Sequence, residues 1–395
     1  MDTRSPQKHI SIATIWVLHP STQVEMRGGV ERYCHDLTCL LTDNGYEVTI
    51  FQKATSPFSQ RVSPRCVVEG INARLTFVGN RQIYKALCQK LSPDDPIIFL
   101  SQELLLGNYF RRSLAVNHGI WWDGDYPLWK KIVIKELHTR LLRWATATLC
   151  VDTAYINWCH SELPGRPRYD SRLKYIPNYS FDARPTMPEF RPPGSARSFR
   201  ILFPRRITEA KIVRQGRGAE LFLKAALVLK GLGYQPTLYF VGPNSQRDYL
   251  SNWSRVHNIE VECTELPMAQ MSTAYRQCDV CVIPSLEHEG TSLSALESIC
   301  SGIPTVVTHI GGLANIVIDG LNGFVCDLTP RSLAGAILKA RSTGTLVEGQ
   351  MLSARTLSID AWRSRVSPVL NEALDLTEAE AICANRQAIS PVVNT

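Results

Sequence analysis

Short apolar runs alternate with segments of helical period along the first half of the chain. Residues 10–18 (ISIATIWVL) and 46–53 (YEVTIFQK) predict buried strands, and residues 28–45 between them predict a helix that ends at Gly45. Five later apolar runs predict further strands: LTFVG at 75–79, PIIFLS at 96–101, LAVNHG at 114–119, ATLCVD at 147–152 and LKYIPN at 173–178. Strands that alternate with helices favour parallel pairing, so we expect a doubly wound α/β sheet.

The pattern stops at residues 181–198 and then begins again. This segment carries four prolines and almost no periodicity, which is typical of a linker. Four more apolar runs follow and predict strands: FRILFP at 199–204, TLYFVG at 237–242, DVCVIPS at 279–285 and TVVTHI at 305–310. We therefore predict two Rossmann-like domains in tandem, residues 1–180 and 199–357. Polar and small residues dominate at 377–395, which predicts a flexible tail.

Composition narrows the class of protein. With 395 residues, of which 44% are hydrophobic and 20% charged, the chain can build two cores and is not disordered. A net charge of +7 fits either an anionic ligand or ordinary variation, and is too weak and scattered for nucleic acid. The twelve cysteines have no framework spacing, which indicates free thiols and a cytoplasmic protein. The Cys278–Cys281 pair favours core packing over redox chemistry or a metal site, and no run reaches the ~18 apolar residues of a membrane span.

Residues 285–312 carry two glutamates around a turn. The run 279–285 predicts a central strand, and open α/β sheets bind ligands at the carboxyl ends of their strands. Thr291 or Ser292 can cap the helix that follows, whose first amides would suit phosphate oxygens. Glu297 on this helix can accept hydrogen bonds from the vicinal hydroxyls of a ribose, and Glu289 can contact a sugar. The alternative is a solvated helix start with acidic residues favoured by the helix dipole.

Two further positions at strand ends carry candidate chemistry. Arg205 and Arg206 directly follow the strand predicted at 199–204, where cations would stabilise the charge that builds on a departing diphosphate. The alternative for this pair is surface solubility. His118 ends the strand predicted at 114–119, where it serves either structure or function; we do not assign it as a general base.

Several segments together resemble one family. Residues 284–312 and 319–325 resemble the C-terminal signature of retaining GT-B glycosyltransferases, specifically the family 4 group, and the E-x₇-E motif falls on Glu289 and Glu297. Six other segments resemble family segments in the expected order: 28–51, 116–123, 150–158, 175–180, 203–211 and 239–242. The resemblance covers residues 10 to about 375. It implies two Rossmann-like domains that face a cleft, with a C-terminal helix, 358–376, that packs back on the first domain.

The resemblance also implies an activity: transfer of a sugar from a nucleotide-sugar to an acceptor hydroxyl, with retained anomeric configuration and no obligatory metal or cofactor. UDP or GDP is the expected nucleotide, and the expected product is a polysaccharide, glycolipid or other glycoconjugate. The residues that match the family's catalytic positions are His118, Glu289, Arg206 and Lys211. Those that match its donor-binding positions are Gly28, Gly29, Arg206, Lys211, Arg217, Gly290, Thr291, Ser292, Leu293 and Glu297.

Three departures from the family pattern limit these assignments. The turn after the first glutamate is Gly290-Thr291-Ser292, where the family has an aromatic residue in the middle. Extra residues after Lys211 leave open whether Lys211 or Arg217 is the second phosphate cation. Asn315 stands where the family carries a glutamate, and it is therefore given no role.

The remaining alternatives concern partners and reaction. Residues 128–147 predict a basic amphipathic helix, which either covers a sheet or lies on an anionic membrane with a lipid-linked acceptor. A nicotinamide-dependent oxidoreductase is disfavoured because the nearest match to G-x-G-x-x-G, at 216–221, has only two glycines. An inactive sugar-nucleotide-binding scaffold, and a GT-B epimerase or phosphorylase-like enzyme, remain alternatives to the transferase.

Overall fold

The computed structural model describes residues 8–384, except 27, 77, 121–126, 164–169, 181–197, 208–216, 268–269, 288 and 379. The first sheet contains β1 His9–Ala13, β2 Glu47–Ala54, β3 Phe58–Ser63, β4 Cys66–Asn72, β5 Ile97–Phe99, β6 Ser113–Asn117, β7 Ala147–Cys150 and β8 Leu173–Tyr175. Its order is β3-β4-β2-β1-β5-β6-β7-β8, and only the β3–β4 pair is antiparallel. The helices of this domain are α1 Gly29–Asp43, α2 Val78–Lys90, α3 Leu128–Trp144 and α4 Thr153–Glu162.

The second sheet is parallel throughout its six strands. It contains β9 Ser198–Phe203, β10 Gln235–Val241, β11 Val261–Thr264, β12 Val280–Ile283, β13 Thr305–Thr308 and β14 Phe324–Cys326, in the order β11-β10-β9-β12-β13-β14. Its helices are α5 Ala219–Gly231, α6 Arg247–His257, α7 Met271–Arg276, α8 Leu293–Cys300, α9 Leu313–Ile316, α10 Pro330–Thr343 and α11 Val347–Thr356. Two α/β domains with parallel sheets confirm the predicted fold class. The linker predicted at 181–198 lies, except for Ser198, outside the described residues.

The last helix returns to the first domain. Helix α12, Ile359–Ala373, places Trp362 in the first domain's core, where its ring lies 5.2 Å from Tyr33 and 4.5 Å from Tyr179. The buried apolar residues of α12 share this core: Trp362, Val366, Leu370 and Ala373. The chain therefore crosses between the domains twice.

The prediction of a flexible tail from residue 377 is wrong for its first part. Ile382 is 2% exposed and belongs to the first domain's core. Asn44 donates to the carbonyl of Cys383 at 3.0 Å and accepts from its amide at 2.8 Å, so a buried side chain ties this segment down. Composition did not reveal this because a single apolar residue anchors the segment. Residues 385–395 lie outside the described residues.

Two local predictions also fail. The apolar run 75–79 was expected to be a strand, but α2 begins at Val78, and Leu75 and Val78 are both about half exposed. The strand at this point in the chain is β4, whose run is interrupted by Glu69 and Gly70 and was therefore missed. Gly70 is required by packing, because a Cβ there would lie 2.2 Å from the ring of Phe58 on β3.

Strand order explains where a ligand can bind. In the first sheet β1 lies between β2 and β5, and in the second β9 lies between β10 and β12. In each sheet the order in which strands are added therefore reverses beside the first strand. Crevices form at such switch points, outside the carboxyl ends of the strands. The loops after β1, β5 and β6 face the loops after β9 and β12.

Candidate functional site

A cleft of about 1020 Å³ lies between the two domains at these switch points. It is lined by described residues from both sides that the sequence analysis singled out: Gly28, Gly29, His118, Arg206, Arg217, Glu289, Gly290, Thr291, Ser292, Leu293 and Glu297. Lys211 lies outside the described residues. The structure thus brings the described candidates to one cavity.

The glycine loop of the first domain lies against the start of α8. Gly28 is the N-cap of α1, and Gly29 is its first residue. A Cβ on Gly29 would lie 3.4 Å from Cδ1 of Leu293, at the first turn of α8. The glycine loop and the start of α8 therefore lie within van der Waals reach of each other across the cleft.

The first amides of α8 have no partner within their helix, as in any α-helix. Ser292 is the N-cap, but its side chain makes no capping hydrogen bond. The Thr291 hydroxyl instead donates to the carbonyl of Val151 at 3.1 Å and accepts from the amide of Asn178 at 2.8 Å. Of the two predicted cap residues, Ser292 therefore holds the N-cap position but leaves the first amides without a side-chain partner, and Thr291 joins the two domains.

The domains touch through backbone next to this helix. A Cβ on Gly119 would lie 2.7 Å from the amide nitrogen of Gly290, and Gly119 has φ +114°, which L side chains rarely adopt. Asn315 adds a side-chain contact: its amide oxygen accepts from the Thr153 backbone at 2.9 Å, and its amide donates to the Thr153 hydroxyl at 2.7 Å. Asn315, given no role from the sequence, thus links α9 to the start of α4.

Glu289 is held by Arg205 and not by Arg206. The guanidinium of Arg205 donates to Glu289 at 2.5 Å and to the Ser285 hydroxyl at 2.6 Å, and Ser285 donates to Glu289 at 2.5 Å. Burial alone would raise the pKa of Glu289, but the charge of Arg205 and these hydrogen bonds outweigh it and hold that pKa below its usual value. Glu289 is thus a fixed anion at the cleft wall.

Two arginines supply exposed positive charge beside this ion pair. Arg206 and Arg217 line the cleft, and both are exposed. Desolvation at the cleft wall and repulsion from Arg205 and Arg206 lower the pKa of Arg217. Because this repulsion acts over short distances, the three guanidinium groups lie near one another. Such a cluster is suited to an anionic ligand with several oxygens.

Glu297 is oriented by a buried tyrosine. The hydroxyl of Tyr275, a residue of α7 that is 2% exposed, donates to Oε2 of Glu297 at 2.9 Å. Glu297 lines the cleft from α8, one turn beyond the helix start. The carboxylate is therefore positioned before any ligand arrives.

His118 is neutral near pH 7. Burial lowers its pKa to about 4, and a hydrogen bond with the backbone of Leu100 offsets only part of that effect. Its ring packs edge-on against Tyr33, with 5.2 Å between ring centres. A neutral imidazole at the cleft can donate or accept a hydrogen bond without adding charge.

Some of these residues escaped the sequence analysis. Arg205 was grouped with Arg206 although it is 5% exposed, and neither Ser285 nor Tyr275 was assigned a role. The two consecutive arginines after a strand could have indicated different roles for Arg205 and Arg206, because adjacent side chains at a strand end point in different directions. Nothing in the sequence indicated Tyr275, whose role depends on how α7 packs against α8.

The Cys278–Cys281 pair belongs to the core. Neither cysteine forms a disulfide with a described residue, both residues are at most 1% exposed, and both lie in the same apolar cluster. In the described part of the chain, no group of three or more histidine, cysteine, aspartate or glutamate side chains is arranged to hold a metal ion.

Part of this chain is similar to known proteins. Residues 200–342 match the family Glycosyl transferases group 1. Glycogen synthase of Mycobacterium tuberculosis is 34% identical over 110 residues, which are 27% of this chain and 26% of that protein. D-inositol 3-phosphate glycosyltransferase of Thermomonospora curvata is 34% identical over 120 residues, 29% of this chain and 28% of that protein. The chain spans about a quarter of the length of these curated relatives.

Solved structures match nearly the whole chain. Sucrose-phosphate synthase of Thermosynechococcus elongatus superposes with a TM-score of 0.67 at 16% identity, and the match covers 94% of this chain and 100% of that one. The HepE protein of Anabaena, solved in complex with UDP and glucose, gives a TM-score of 0.66 at 16% identity over 92% and 100% of the two chains. The fold is GT-B.

Proposed function

We propose that this protein is a retaining glycosyltransferase of the family 4 type. It moves a sugar from a nucleotide-sugar to an acceptor hydroxyl, in the synthesis of a polysaccharide, glycolipid or other glycoconjugate. The observation that carries the proposal is the convergence in one cleft of Gly29, the start of α8, Arg206, Glu289 and Glu297. The match of residues 200–342 to the group 1 family supports it.

Each part of the cleft fits one part of such a donor. Glu297, held by Tyr275, suits the two hydroxyls of a ribose. The uncapped start of α8 and the Arg206–Arg217 cluster suit a diphosphate, with Lys211 or Arg217 as the second cation. When the glycosidic bond breaks, negative charge grows on that diphosphate, and fixed cations stabilise it more than they stabilise the ground state. Glu289 and neutral His118 suit the transferred sugar.

Catalysis without an obligatory metal is part of the proposal. The positive charge of the arginines can stabilise the negative charge on the leaving diphosphate, which is the role of a bound metal cation in other transferases. UDP and GDP are the expected nucleotides, and the UDP seen in the Anabaena HepE structures favours UDP as the first to test.

A thermal-shift screen against UDP-, GDP-, ADP- and dTDP-sugars tests the donor site. Transfer assays with the donor that binds best then test the reaction, in the presence and absence of EDTA. We expect activity that resists EDTA, and NMR of the product should show retained anomeric configuration. Products formed without any acceptor, such as an epimerised or phosphorolysed sugar, would instead indicate a different GT-B reaction. Binding without turnover would indicate an inactive scaffold.

We also propose that the enzyme is cytoplasmic and associates with a membrane surface, and the start of α3 supports the membrane association. Leu128, Trp129, Ile132 and Val133 are 75%, 66%, 58% and 53% exposed, and lysines 130, 131 and 135 lie among them. Among the described residues, two carboxylates near this segment are already paired: Glu136 with Arg140, and Glu162 with Lys135. An apolar face with flanking lysines suits the surface of an anionic bilayer, whereas the second half of α3 packs on the sheet. None of the helices in the described ranges is long and apolar enough to span a bilayer.

Co-sedimentation with vesicles tests this location. We expect binding to phosphatidylglycerol vesicles, weaker binding to phosphatidylcholine, and loss of binding in the Trp129→Ser/Ile132→Ser variant. Val256→Ser, which changes a residue that is 65% exposed on the other domain, is the matched control. Equal binding by all three proteins, or none to anionic vesicles, would contradict the membrane association.

A further inference from the structure

Asn178 follows β8, the last strand of the first sheet, and lines the cleft. Its side-chain amide donates to the carbonyl of Thr291 at 2.8 Å, and its backbone amide donates to the Thr291 hydroxyl at 2.8 Å. The partner sets the orientation of this side chain, because the reverse orientation would bring two oxygens together. One residue of the first domain therefore binds both the backbone and the side chain of Thr291, which directly precedes Ser292, the N-cap of α8.

The segment that carries Asn178 is firmly attached to the first domain. Before it, the amide of Ile176 donates to the carbonyl of Cys150 at 3.0 Å. After it, the hydroxyl of Tyr179, a residue that is 1% exposed, donates to the carboxylate of Asp36 on α1 at 2.9 Å. Because buried contacts hold the chain on both sides, the position of Asn178 is set before any ligand arrives.

The loop before α8 is held by both domains. On the second-domain side, the carbonyl of Glu289 accepts from the amide of Gly312 at 2.7 Å. On the first-domain side, the Thr291 hydroxyl donates to the carbonyl of Val151 at 3.1 Å, in addition to its contacts with Asn178. The start of α8 is therefore placed by contacts with the first domain as well as by its own domain.

The contact at the Thr291 carbonyl sets the direction of the next amide. The peptide unit between Thr291 and Ser292 is trans, and in such a unit the C=O and N–H bonds point in opposite directions. Since the carbonyl points to Asn178, the Ser292 amide points away from it. Ser292 lines the cleft, and its amide has no acceptor among the described residues. The contact thus orients an amide of the helix start and leaves that amide available to a ligand.

We propose that Asn178 is a positioning residue for the diphosphate of the donor. It acts from the first domain, by fixing the peptide unit at which α8 begins, and not by contact with the donor itself. Amides at a helix start bind phosphate oxygens when they point to one place. Without the Asn178 side chain the Thr291 carbonyl loses its partner, and the Ser292 amide is no longer held toward the same oxygens as its neighbours. This inference rests on the proposed transferase function.

The first test compares a nucleotide with its nucleoside: UDP with uridine, or the matching pair for the base that the thermal-shift screen selects. Calorimetry measures the nucleotide affinity, and NMR titration measures that of the nucleoside. Asn178→Ala should weaken nucleotide binding about tenfold and change nucleoside binding less than about twofold, because the lost hydrogen bond orients a phosphate-binding amide. Asn178→Asp keeps the side-chain volume but places an acceptor against a carbonyl, so it should weaken nucleotide binding at least as much. Thermal unfolding checks that both variants fold.

The comparison separates positioning of the phosphate from a general loss of structure. A variant that loosened the whole cleft would weaken nucleotide and nucleoside binding equally, and that result would overturn the inference. Unchanged nucleotide affinity in a folded Asn178→Ala or Asn178→Asp variant would also overturn it. If the wild type bound none of the nucleotide-sugars in the screen, the proposed function itself would fail.

The second test is kinetic, because a residue of the first domain could instead contact the acceptor. In Asn178→Ala we expect kcat/KM for the donor to fall at least about fivefold, while the acceptor KM at saturating donor stays within about twofold of the wild-type value. Asn252→Ala, which changes an exposed asparagine on α6, is the matched control and should alter neither constant. A raised acceptor KM with unchanged donor kinetics would overturn the inference.

Discussion

Arg205 and Glu289 form an ion pair across the end of the second sheet, with 2.5 Å between the guanidinium and the carboxylate. The Arg205 side chain is 3% exposed and that of Glu289 is 25% exposed, so the pair is anchored in the protein and open at its acidic end. Arg205 therefore holds Glu289, while the adjacent Arg206 remains exposed at the cleft. Neighbouring arginines thus have separable roles.

The first prediction compares Arg205→Met with Arg206→Met. Removing Arg205 leaves a desolvated carboxylate without its partner, so we expect a loss of about 3 kcal/mol in the free energy of unfolding as well as lost activity. Removing exposed Arg206 should change stability by less than about 0.5 kcal/mol. It should nevertheless lower kcat about 100-fold, because it removes one stabilising group from the leaving diphosphate.

Urea unfolding and steady-state kinetics on both variants provide the measurement. If Arg206→Met retained wild-type kcat while remaining folded, its assignment to the diphosphate would be wrong. If Arg205→Met were as stable as the wild type, the ion pair would contribute nothing to the fold.

A second prediction concerns Glu297 and Tyr275. Glu297→Ala should weaken donor binding about 100-fold, because it removes a charged acceptor from two hydroxyls of the proposed ribose. Tyr275→Phe should weaken donor binding about fivefold, since the carboxylate stays but loses the hydroxyl that orients it at 2.9 Å. Calorimetric titration of the nucleotide measures both affinities.

The double variant distinguishes orientation from a separate contact. If Tyr275 acts through Glu297, adding Tyr275→Phe to Glu297→Ala should change affinity no further. Fully additive effects would mean that Tyr275 reaches the donor by another route.

Much of this fold was predictable because buried parallel strands are continuous apolar runs. The apolar runs at 279–285 and 305–310 were enough to predict strands, and β12 and β13 lie within them. β4 was missed because Glu69 and Gly70 interrupt its run, and the β3–β4 hairpin is half-exposed. Local pattern thus predicts strands where both faces are buried and fails where one face meets water.

The candidate site divides in the same way. Glu289 and Glu297 were found because their spacing around a turn is a local property of the chain. The contacts of Asn315 and Asn178 were not found in this way. Asn315 contacts Thr153 and Asn178 contacts Thr291, and the partners in each pair are more than 100 positions apart in the sequence. Contacts between domains depend on how the domains are placed, and no short segment of sequence records this.

A third prediction tests the contact between the domains. In Gly119→Ala the new methyl group would lie 2.7 Å from the backbone of Gly290, at a φ of +114°. Backbone cannot move aside as a side-chain end can, so we expect the loops to separate and kcat/KM to fall at least about tenfold. Small-angle scattering should show a larger radius of gyration.

Gly335→Ala on α10 is the matched control. A Cβ there would have open space within 4 Å, so this variant should keep full activity and gain about 0.5–1 kcal/mol from its helix. Wild-type kinetics in Gly119→Ala would show that the contact between Gly119 and Gly290 is not needed for turnover.

The last prediction concerns pH and a histidine remote from the cleft. His138 on α3 is 3% exposed, its Nδ1 lies 2.9 Å from the hydroxyl of Tyr155, and burial lowers its pKa from 6.5 to about 3. Between these two values the unfolded chain binds a proton at this position and the folded chain does not. Stability must therefore fall as the pH drops below 6.5, by about 2 kcal/mol from this residue at pH 5.

The variant His138→Gln removes this titration and keeps a polar partner for Tyr155. Urea unfolding at pH 7.5 and pH 5.0 should show that the variant loses about 2 kcal/mol less than the wild type between the two. His118, whose pKa is also lowered by burial, adds a similar loss to both proteins and cancels in the comparison. His309→Gln, at an exposed position, should behave as the wild type. An identical loss in His138→Gln and the wild type would mean that His138 does not stay neutral in the folded protein, because its burial is what couples its charge to stability.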